Sequence, residues 1–239
     1  IPRVRVCAWT VRPGTCTTVK LLAMANKDVA PARSTVTVAP RKPAKPAVQP
    51  PDHTVRIVGG RWKRTRLPVA TKPGLRPTPD RVRETVFNWL GQDLTGWNCV
   101  DAFAGTGALG FEAASRGAKS VTLVENDRSL VLQLVATQQR LEADMVQIHR
   151  GDGLAALARL PADSLDLVFL DPPFDSDLFE SALVAAERVM CAGAVVYLEA
   201  PVAWSDGALA PLGLTVIRHL KAGAVHAHLL QRSRQLPHA

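Results

Sequence analysis

Between residues 98 and 199, short apolar segments alternate with segments whose apolar residues recur at helical spacing. The apolar segments predict strands at 98–103, 120–125, 145–149, 165–170 and 194–199. The segments between them predict helices at 108–116, 129–141, 154–160 and 178–190. Strands that are apolar on both faces, each followed by a helix, are typical of a parallel sheet covered on both sides. This alternation restricts the chain to an α/β fold.

The segments on either side of this repeat have a different pattern. After it, residues 214–221 and 224–231 flank a tight turn and predict an antiparallel hairpin. Before it, apolar residues at helical spacing predict a helix at 79–90, with Thr78 as its N-cap and Pro79 as its first residue. A mostly parallel, seven-stranded sheet with an antiparallel C-terminal hairpin is the architecture of Rossmann-like class I methyltransferases.

A glycine-rich turn, VDAFAGTGALG at 100–110, joins the first predicted strand of the repeat to the following helix. Gly105 and Gly107 permit a tight turn and let a ligand lie against the backbone. Asp101 ends the strand, where its carboxylate could bind a ligand's ammonium group. The spacing is not G-x-G-x-x-G, and no Lys-Ser/Thr pair follows, which disfavours a dinucleotide or a nucleoside triphosphate.

Two acidic residues follow the next two strands. Glu125 lies twenty residues after Gly105, at the offset where an acid commonly accepts hydrogen bonds from two ribose hydroxyls. Asp152, in HRGDG, is placed either to reach an adenine edge or to cap the helix at 154–160. Both interpretations of Asp152 stay open.

The fourth strand of the repeat ends in LDPPF at 170–174. Prolines have no N–H, so this turn presents carbonyl oxygens without competing donors. The exocyclic amino group of a base can donate one hydrogen to Asp171 and another to the Pro172 carbonyl. These bonds would orient the nitrogen toward a methyl sulfonium and strengthen as positive charge develops on it. Phe174 can stack on the base. The motif therefore indicates methylation of a base amino group.

The formal net charge of +8 is concentrated near the N-terminus. Residues 1–52 hold nine Lys/Arg, two acids and eight prolines without apolar periodicity, so we expect a disordered tail ahead of one domain at 53–239. An organellar transit peptide, an RNA-binding extension, an over-extended reading frame and a tail without a specific role are the open interpretations of this segment.

The segment 56–83 adds nine basic residues against one acid, which predicts a surface that contacts phosphates. We expect RNA to be bound by Arg61, Lys63, Arg64, Arg66, Arg76, Arg81 and Arg83. Only Trp62 offers an aromatic face before the helix. The four cysteines show no paired metal-ligand spacing, so we expect free thiols, no bound metal and a cytoplasmic location. No apolar run approaches the ~20 residues of a membrane span.

Four motifs together resemble the RsmD family, bacterial enzymes that methylate N2 of a guanine in small-subunit (16S) ribosomal RNA. They are RIVGGRWKRTRL at 56–67, GLRPTPDRVRETVFNWL at 74–90, DAFAGTGALGFEAASRGA at 101–118 and LDPPF at 170–174. The resemblance covers residues 55 to 232. The N-terminal tail departs from it, because family members typically begin near the equivalent of Arg56.

The resemblance implies a methyltransferase that uses S-adenosyl-L-methionine (S-adenosylmethionine). Its cofactor would be bound by Asp101, Phe103, Gly105, Gly107, Glu125, Asn126 and Asp152. The target base would be held by Asp171, Pro172, Pro173 and Phe174. The stretch from Arg76 to Arg83 would lie over the cofactor pocket and meet RNA. The implied partner is ribosomal RNA or a small-subunit assembly intermediate, bound by a monomer that needs no membrane.

Three other functions are weighed against this one. A DNA adenine-N6 methyltransferase could use the same proline turn, but the chain has no obvious room for a recognition domain of ~100 residues. A non-catalytic RNA-binding protein with a methyltransferase fold would be expected to lose Asp101, Glu125 or Asp171, and all three are present. An enzyme that methylates a glutamine side chain usually carries Asn at the position of Asp171.

Overall fold

A computed structural model describes residues 54–69 and 78–233 of the chain. The predicted tail at 1–52 and the predicted RNA contact Arg76 lie outside these described residues. Both therefore stay predictions. No helix in the two described ranges is long and apolar enough to cross a membrane.

Between residues 80 and 200, strands and helices follow one another in the order that the sequence predicts. The strands are β1 (Thr54–Arg56), β2 (Arg66–Pro68), β3 (Asn98–Asp101), β4 (Ser120–Glu125), β5 (Val146–Arg150), β6 (Leu165–Leu170), β7 (Met190–Ala200), β8 (Leu214–Ala222) and β9 (Val225–Arg232). The helices are α1 (Asp80–Trp89), α2 (Ala108–Ser115), α3 (Arg128–Leu141), α4 (Gly153–Arg159), α5 (Leu178–Val189) and α6 (Asp206–Leu209), followed by a 3₁₀ turn at Ala210–Leu212.

Seven strands form one sheet in the order β5-β4-β3-β6-β7-β9-β8. All pairs from β5 to β7 are parallel, whereas β9 runs antiparallel to β7 and β8. The predicted seven-stranded, mostly parallel sheet with an antiparallel C-terminal hairpin is confirmed. The chain reverses its direction of winding between β3 and β6. In such sheets a ligand crevice opens at the carboxyl ends of the strands, at this point of reversal.

Three local features differ from the sequence predictions. β7 begins at Met190, directly after α5, instead of at residue 194. Thr78 does not cap α1, because the helix begins at Asp80 after Pro79 and the Thr78 hydroxyl bonds to Glu199 instead. The antiparallel hairpin of β1 and β2 was not predicted, since strands of three residues are too short to show an alternating pattern.

The β1–β2 hairpin is attached to α2, the helix that follows the glycine-rich turn. Glu112 of α2 accepts hydrogen bonds of 2.7 Å from the backbone N–H groups of both Val58 and Gly59. Ser115 donates from its hydroxyl to the Gly59 carbonyl at 2.6 Å. The hairpin approaches so closely that a Cβ at Gly60 would lie 1.9 Å from the Ser115 carbonyl oxygen. The basic hairpin and the glycine-rich turn are therefore joined through one helix.

Candidate active site

The strand register places four carboxylates on one face of the sheet. Asp101 of β3 is paired with Leu123 of β4 and with Phe169 of β6, and Phe169 is paired with Tyr197 of β7. Side chains return to the same face every second residue. Two residues after Leu123, Phe169 and Tyr197, at the carboxyl ends of these strands, the chain carries three further acids. They are Glu125, Asp171 and Glu199. Four successive strands of the sheet thus each contribute one acid to the same edge.

Aromatic packing beneath this edge keeps it in place. The ring of Phe169 meets the Tyr197 ring edge-on with 6.0 Å between centroids, and on its other side meets Phe87 of α1 at 6.1 Å. All three side chains are buried. Because β6 and β7 are held by this contact two residues before Asp171 and Glu199, the two carboxylates have little freedom to separate.

The glycine-rich turn brings its backbone to this edge. Gly107 has a φ of 77° and precedes α2. A Cβ at this position would lie 2.6 Å from the Leu134 side chain and 2.7 Å from Phe111. Only glycine therefore fits the turn in this form. The predicted cofactor residue Gly105 donates from its N–H to Oε2 of Glu125 at 2.8 Å, so the turn and the end of β4 are directly linked.

Asp101 is the most deeply buried acid of the four, with 2% of its surface exposed. Burial raises the pKa of its carboxyl group to about 7. Hydrogen bonds from the backbone N–H groups of Phe103 and Gly110 act in the opposite direction, while the charges of Glu125 and Glu199 raise the pKa further. Asp101 therefore exchanges its proton near neutral pH, where a bound cation would shift it to the charged form.

Glu125 and Asp152 accept hydrogen bonds from the backbone. The second oxygen of Glu125 accepts the N–H of Asp127 at 2.8 Å, and Asn126 between them is exposed. Asp152 caps α4 by accepting the N–H of Ala155 at 2.8 Å. The capping interpretation of Asp152 is thus confirmed. Only its Oδ1 is used in this way, and the residue is exposed, so Oδ2 is accessible to a ligand.

The Asp171–Phe174 turn directly follows β6. Burial, and then the charges of Glu199 and Asp101, raise the pKa of Asp171 well above its ordinary value. No hydrogen bond from the described residues reaches the Asp171 carboxylate. The Pro173 carbonyl accepts from the backbone N–H and the hydroxyl of Ser176, at 3.1 and 2.6 Å. Within the described part of the chain, the Pro172 carbonyl has no such donor.

Phe174, the last residue of the motif, is 39% exposed, which is unusual for so large an apolar side chain in this protein. Most of the other large apolar side chains are buried in the hydrophobic core. An exposed aromatic ring three residues after a carboxylate without a donor suits a planar ligand that carries hydrogen-bond donors.

Glu199 was not among the residues proposed from the sequence. It is 3% exposed, and its Oε1 accepts from the Thr78 hydroxyl at 2.6 Å and from the Tyr197 hydroxyl at 2.8 Å. Burial raises the pKa of its carboxyl group, and these two hydrogen bonds lower it in part. A sequence signal existed, because Glu199 ends the strand predicted at 194–199. Only the strand order shows that this strand lies beside LDPPF.

Within the part of the chain that the structure describes, the four carboxylates have no cationic partner. No salt bridge within residues 54–69 and 78–233 reaches any of them. In the same ranges, no group of three or more His, Cys, Asp or Glu side chains could hold a metal ion. An edge with concentrated negative charge and raised carboxyl pKa values suits a cationic organic ligand.

The predicted RNA-contacting residues divide into two groups. Among those described, the following side chains are exposed: Arg61, Lys63, Arg64, Arg66 and Arg81. The prediction for Arg83 is wrong, because this side chain is fully buried and cannot reach a phosphate. Its guanidinium group lies 3.3 Å from Glu112 and donates to the Arg56 carbonyl at 2.6 Å. Trp62 is also buried and offers no open aromatic face.

Comparisons with known proteins agree with this geometry. A family model described as Conserved hypothetical protein 95 matches residues 55–231. The Escherichia coli (strain K12) protein named "Ribosomal RNA small subunit methyltransferase D" is 38% identical over 192 residues, which cover 77% of this chain and 96% of that protein. The protein of the same name from Haemophilus influenzae is 38% identical over 184 residues, covering 74% and 93% of the two chains.

A solved structure is also similar to this chain. The structure titled "Putative methyltransferase yhhF from Escherichia coli" has a TM-score of 0.66 and 38% sequence identity, over 76% of this chain and 99% of that one. The family model spans most of the chain, and the Escherichia coli and Haemophilus influenzae relatives are covered over nearly their whole length. This chain therefore belongs to the RsmD family of methyltransferases.

Proposed function

We propose that this protein transfers a methyl group from S-adenosylmethionine to the exocyclic N2 amino group of a guanine in small-subunit ribosomal RNA. The observation that carries the proposal is Asp171, a half-buried carboxyl group without a hydrogen-bond donor among the described residues, followed by the free carbonyl of Pro172. The two acceptors match the two hydrogens of an amino group. The names of the relatives favour ribosomal RNA over the DNA adenine alternative.

The carboxylate edge fits S-adenosylmethionine, which carries an ammonium and a sulfonium group and supplies an electrophilic methyl group. Asp101 would bind the ammonium group, and Glu125 the ribose hydroxyls. Asp152 would use its free oxygen for the adenine edge. Gly105 and Gly107 let the ligand lie against the backbone, and Phe103 and Asn126 would line the remaining sides of the pocket.

The residues of the Asp171–Phe174 turn would orient and activate the base. Asp171 and the Pro172 carbonyl each accept one amino hydrogen, which directs the nitrogen lone pair toward the methyl group. As the N–C bond forms and the S–C bond of the sulfonium breaks, the Asp171 carboxylate would stabilise the positive charge on the nitrogen and take up the proton that the nitrogen loses. Its raised pKa makes Asp171 a better proton acceptor than an ordinary carboxylate. Phe174 would stack on the base.

RNA would be held by the exposed basic side chains of the β1–β2 hairpin and by Arg81, together with Arg76. A base within an RNA helix must be flipped out or already unpaired to reach the Asp171–Phe174 turn. Ribosomal RNA or a small-subunit assembly intermediate, a monomeric enzyme and a cytoplasmic location complete the proposal.

The test is the loss of one carboxylate. Asp171→Ala should lower the rate of methyl transfer by roughly 10² to 10³, because it removes an acceptor whose bond strengthens in the transition state. Affinity for S-adenosylmethionine should change little. The matched control is Asp175→Ala, which removes an exposed acid from the same turn. Mass spectrometry of nucleosides from treated small-subunit RNA measures the product. Near-normal turnover of Asp171→Ala would exclude this assignment.

A further inference from the structure

Glu199 has one oxygen that is held and one that is free. The hydroxyls of Thr78 and Tyr197 both donate to Oε1, which fixes the orientation of the carboxylate. Within the described part of the chain, no group donates to Oε2. This atom is also not among the fully buried polar atoms that lack a hydrogen-bond partner, so it is accessible. A carboxylate that is held on one side and open on the other presents a single directed acceptor.

Glu199 lies beside Asp171 at the end of the neighbouring strand. β6 and β7 are paired in register up to Leu170 and Leu198, so Asp171 and Glu199 are the next residues on neighbouring strands. Such strands are about 4.8 Å apart. The charge of Glu199 also raises the pKa of Asp171, as expected for carboxyl groups on neighbouring strand ends. The ends of two neighbouring strands thus carry two carboxyl groups that can act as adjacent acceptors.

We propose that Glu199 selects guanine by accepting the N1–H of the target base while Asp171 accepts a hydrogen of its N2 amino group. This inference rests on the proposed function and adds a residue that determines base specificity. Guanine carries two neighbouring donors, N1–H and the N2 amino group, on its Watson–Crick edge. Flipped bases are recognised through hydrogen bonds to this edge. Two adjacent acceptors are the matching pattern in the protein.

Adenine would be rejected by the same pair of carboxylates. Its amino group is flanked by N1, which is an acceptor and would face the free oxygen of Glu199. The two nearest hydroxyl groups, those of Thr78 and Tyr197, cannot supply a hydrogen, because both already donate to Oε1. Sites built to hydrogen-bond a substrate N–H discriminate strongly against analogues that lack it, since their own polar groups are then left unpaired.

The experiment compares guanine with 2-aminopurine, which keeps the amino group but has an acceptor at N1. Small-subunit RNA is prepared with either base at the methylated position, and kcat/KM is measured for the full-length protein. We expect the wild-type protein to prefer guanine by about tenfold to a hundredfold. In Glu199→Gln, whose side chain has the same size and carries a donor, the preference should fall at least tenfold.

Glu142→Gln is the matched control, because it makes the same change at an exposed glutamate that ends α3. It should leave the base preference unchanged. If Glu199→Gln does not fold or does not bind S-adenosylmethionine, Glu199→Asp replaces it; its shorter carboxylate should also reduce the preference for guanine. The ratio between two bases is a readout that a purely structural role of Glu199 would not change.

The outcomes separate this inference from the proposed function. A wild-type protein that methylates no guanine in small-subunit RNA contradicts the proposed function itself. A wild-type protein that methylates guanine and 2-aminopurine equally well overturns only the role of Glu199. The role of Glu199 is also overturned if the wild-type protein prefers guanine but the folded Glu199 variant keeps the wild-type ratio of kcat/KM between the two bases. Another group would then recognise N1.

Discussion

The backbone N–H of Gly105 donates a 2.8 Å hydrogen bond to Glu125, whose other carboxylate oxygen accepts the N–H of Asp127. One side chain thus connects the glycine-rich turn with the end of β4. The two bonds hold the Glu125 carboxylate in a fixed orientation at the edge of the sheet. A fixed acceptor binds a ligand more tightly than a mobile one, because less conformational entropy is lost on binding.

Glu125→Ala should therefore weaken binding of S-adenosylmethionine. A charge-assisted hydrogen bond contributes about 1.5–3 kcal/mol, so the affinity should fall by roughly tenfold or more. Isothermal titration calorimetry measures the change. Asp144→Ala, which removes an exposed acid that lies between α3 and β5, serves as the control and should bind normally. An unchanged affinity in Glu125→Ala would remove Glu125 from the cofactor site.

Arg83 should contribute to stability and not to RNA binding. It pairs with Glu112 in the interior, and both side chains are fully buried. Breaking a buried pair from one side typically costs about 3–5 kcal/mol, although Arg116, 2.8 Å from Glu112, will offset part of this in Arg83→Ala. Chemical denaturation measures the free energy of unfolding. The exposed neighbour Arg81→Ala should stay within about 0.5 kcal/mol of wild type. Equal stabilities of the two variants would contradict this role.

The pKa of Asp101 predicts how cofactor binding depends on pH. With a pKa of about 7, most Asp101 side chains are protonated at pH 6 and ionised at pH 8, whereas an ammonium group requires the ionised form. Affinity for S-adenosylmethionine should therefore increase about tenfold between these two pH values. Calorimetry at pH 6 in two buffers of different ionisation enthalpy should detect proton release on binding. Asp101→Asn should release no proton, and proton release that persists in this variant would assign it to another group.

The same raised pKa predicts the stability of the ligand-free protein. A carboxyl group whose pKa is raised in the folded protein stabilises the fold at pH values below its unfolded-state pKa of 3.8. This contribution is lost as the pH rises through the folded-state pKa of about 7. The melting temperature should accordingly decrease between pH 5 and pH 8. Asp101→Asn, which cannot ionise, should show a smaller decrease. A melting temperature that rises over this interval in the wild-type protein would contradict the prediction.

The β1–β2 hairpin should bind RNA through phosphates and should not recognise bases. Neutralising Lys63, Arg64 and Arg66 together should weaken binding to cognate and non-cognate RNA alike. The slope of log affinity against log salt should flatten by about 0.7 for each single-strand phosphate that the variant no longer neutralises. Affinity for S-adenosylmethionine should not change. As a control, neutralising the exposed Arg218 and Lys221 of β8 should have a smaller effect. A changed preference between RNAs at constant salt slope would mean that the hairpin reads bases.

Local patterns in the sequence were sufficient to predict the sheet and to nominate most residues of the proposed site. Strands and helices differ in the period of their apolar residues, and this period is visible within about ten residues of chain. The glycine-rich turn, Glu125 and the Asp171–Phe174 turn were recognisable for a related reason. Each lies directly after an apolar strand, and the ends of parallel strands meet at one edge of the sheet.

The residues that the sequence misplaced or missed depend on contacts between distant segments. In the sequence, Arg83 is one of nine basic residues between 56 and 83, and nothing local distinguishes it from its exposed neighbours. Its burial is set by Glu112, 29 residues away. Thr78 has the sequence context of a helix cap, but its hydroxyl is directed to Glu199, 121 residues further along the chain.

The sequence by itself thus determined the α/β architecture, the order of its elements and the acids at the strand ends, because periodicity and strand-end motifs are local properties. Only the tertiary structure decided which acids share an edge and which charged side chains are buried. The strand order β3-β6-β7 brings Asp101, Asp171 and Glu199 together. Their burial, which raises all three pKa values, results from the packing of α1 and the sheet around them, and no single segment of the chain encodes it.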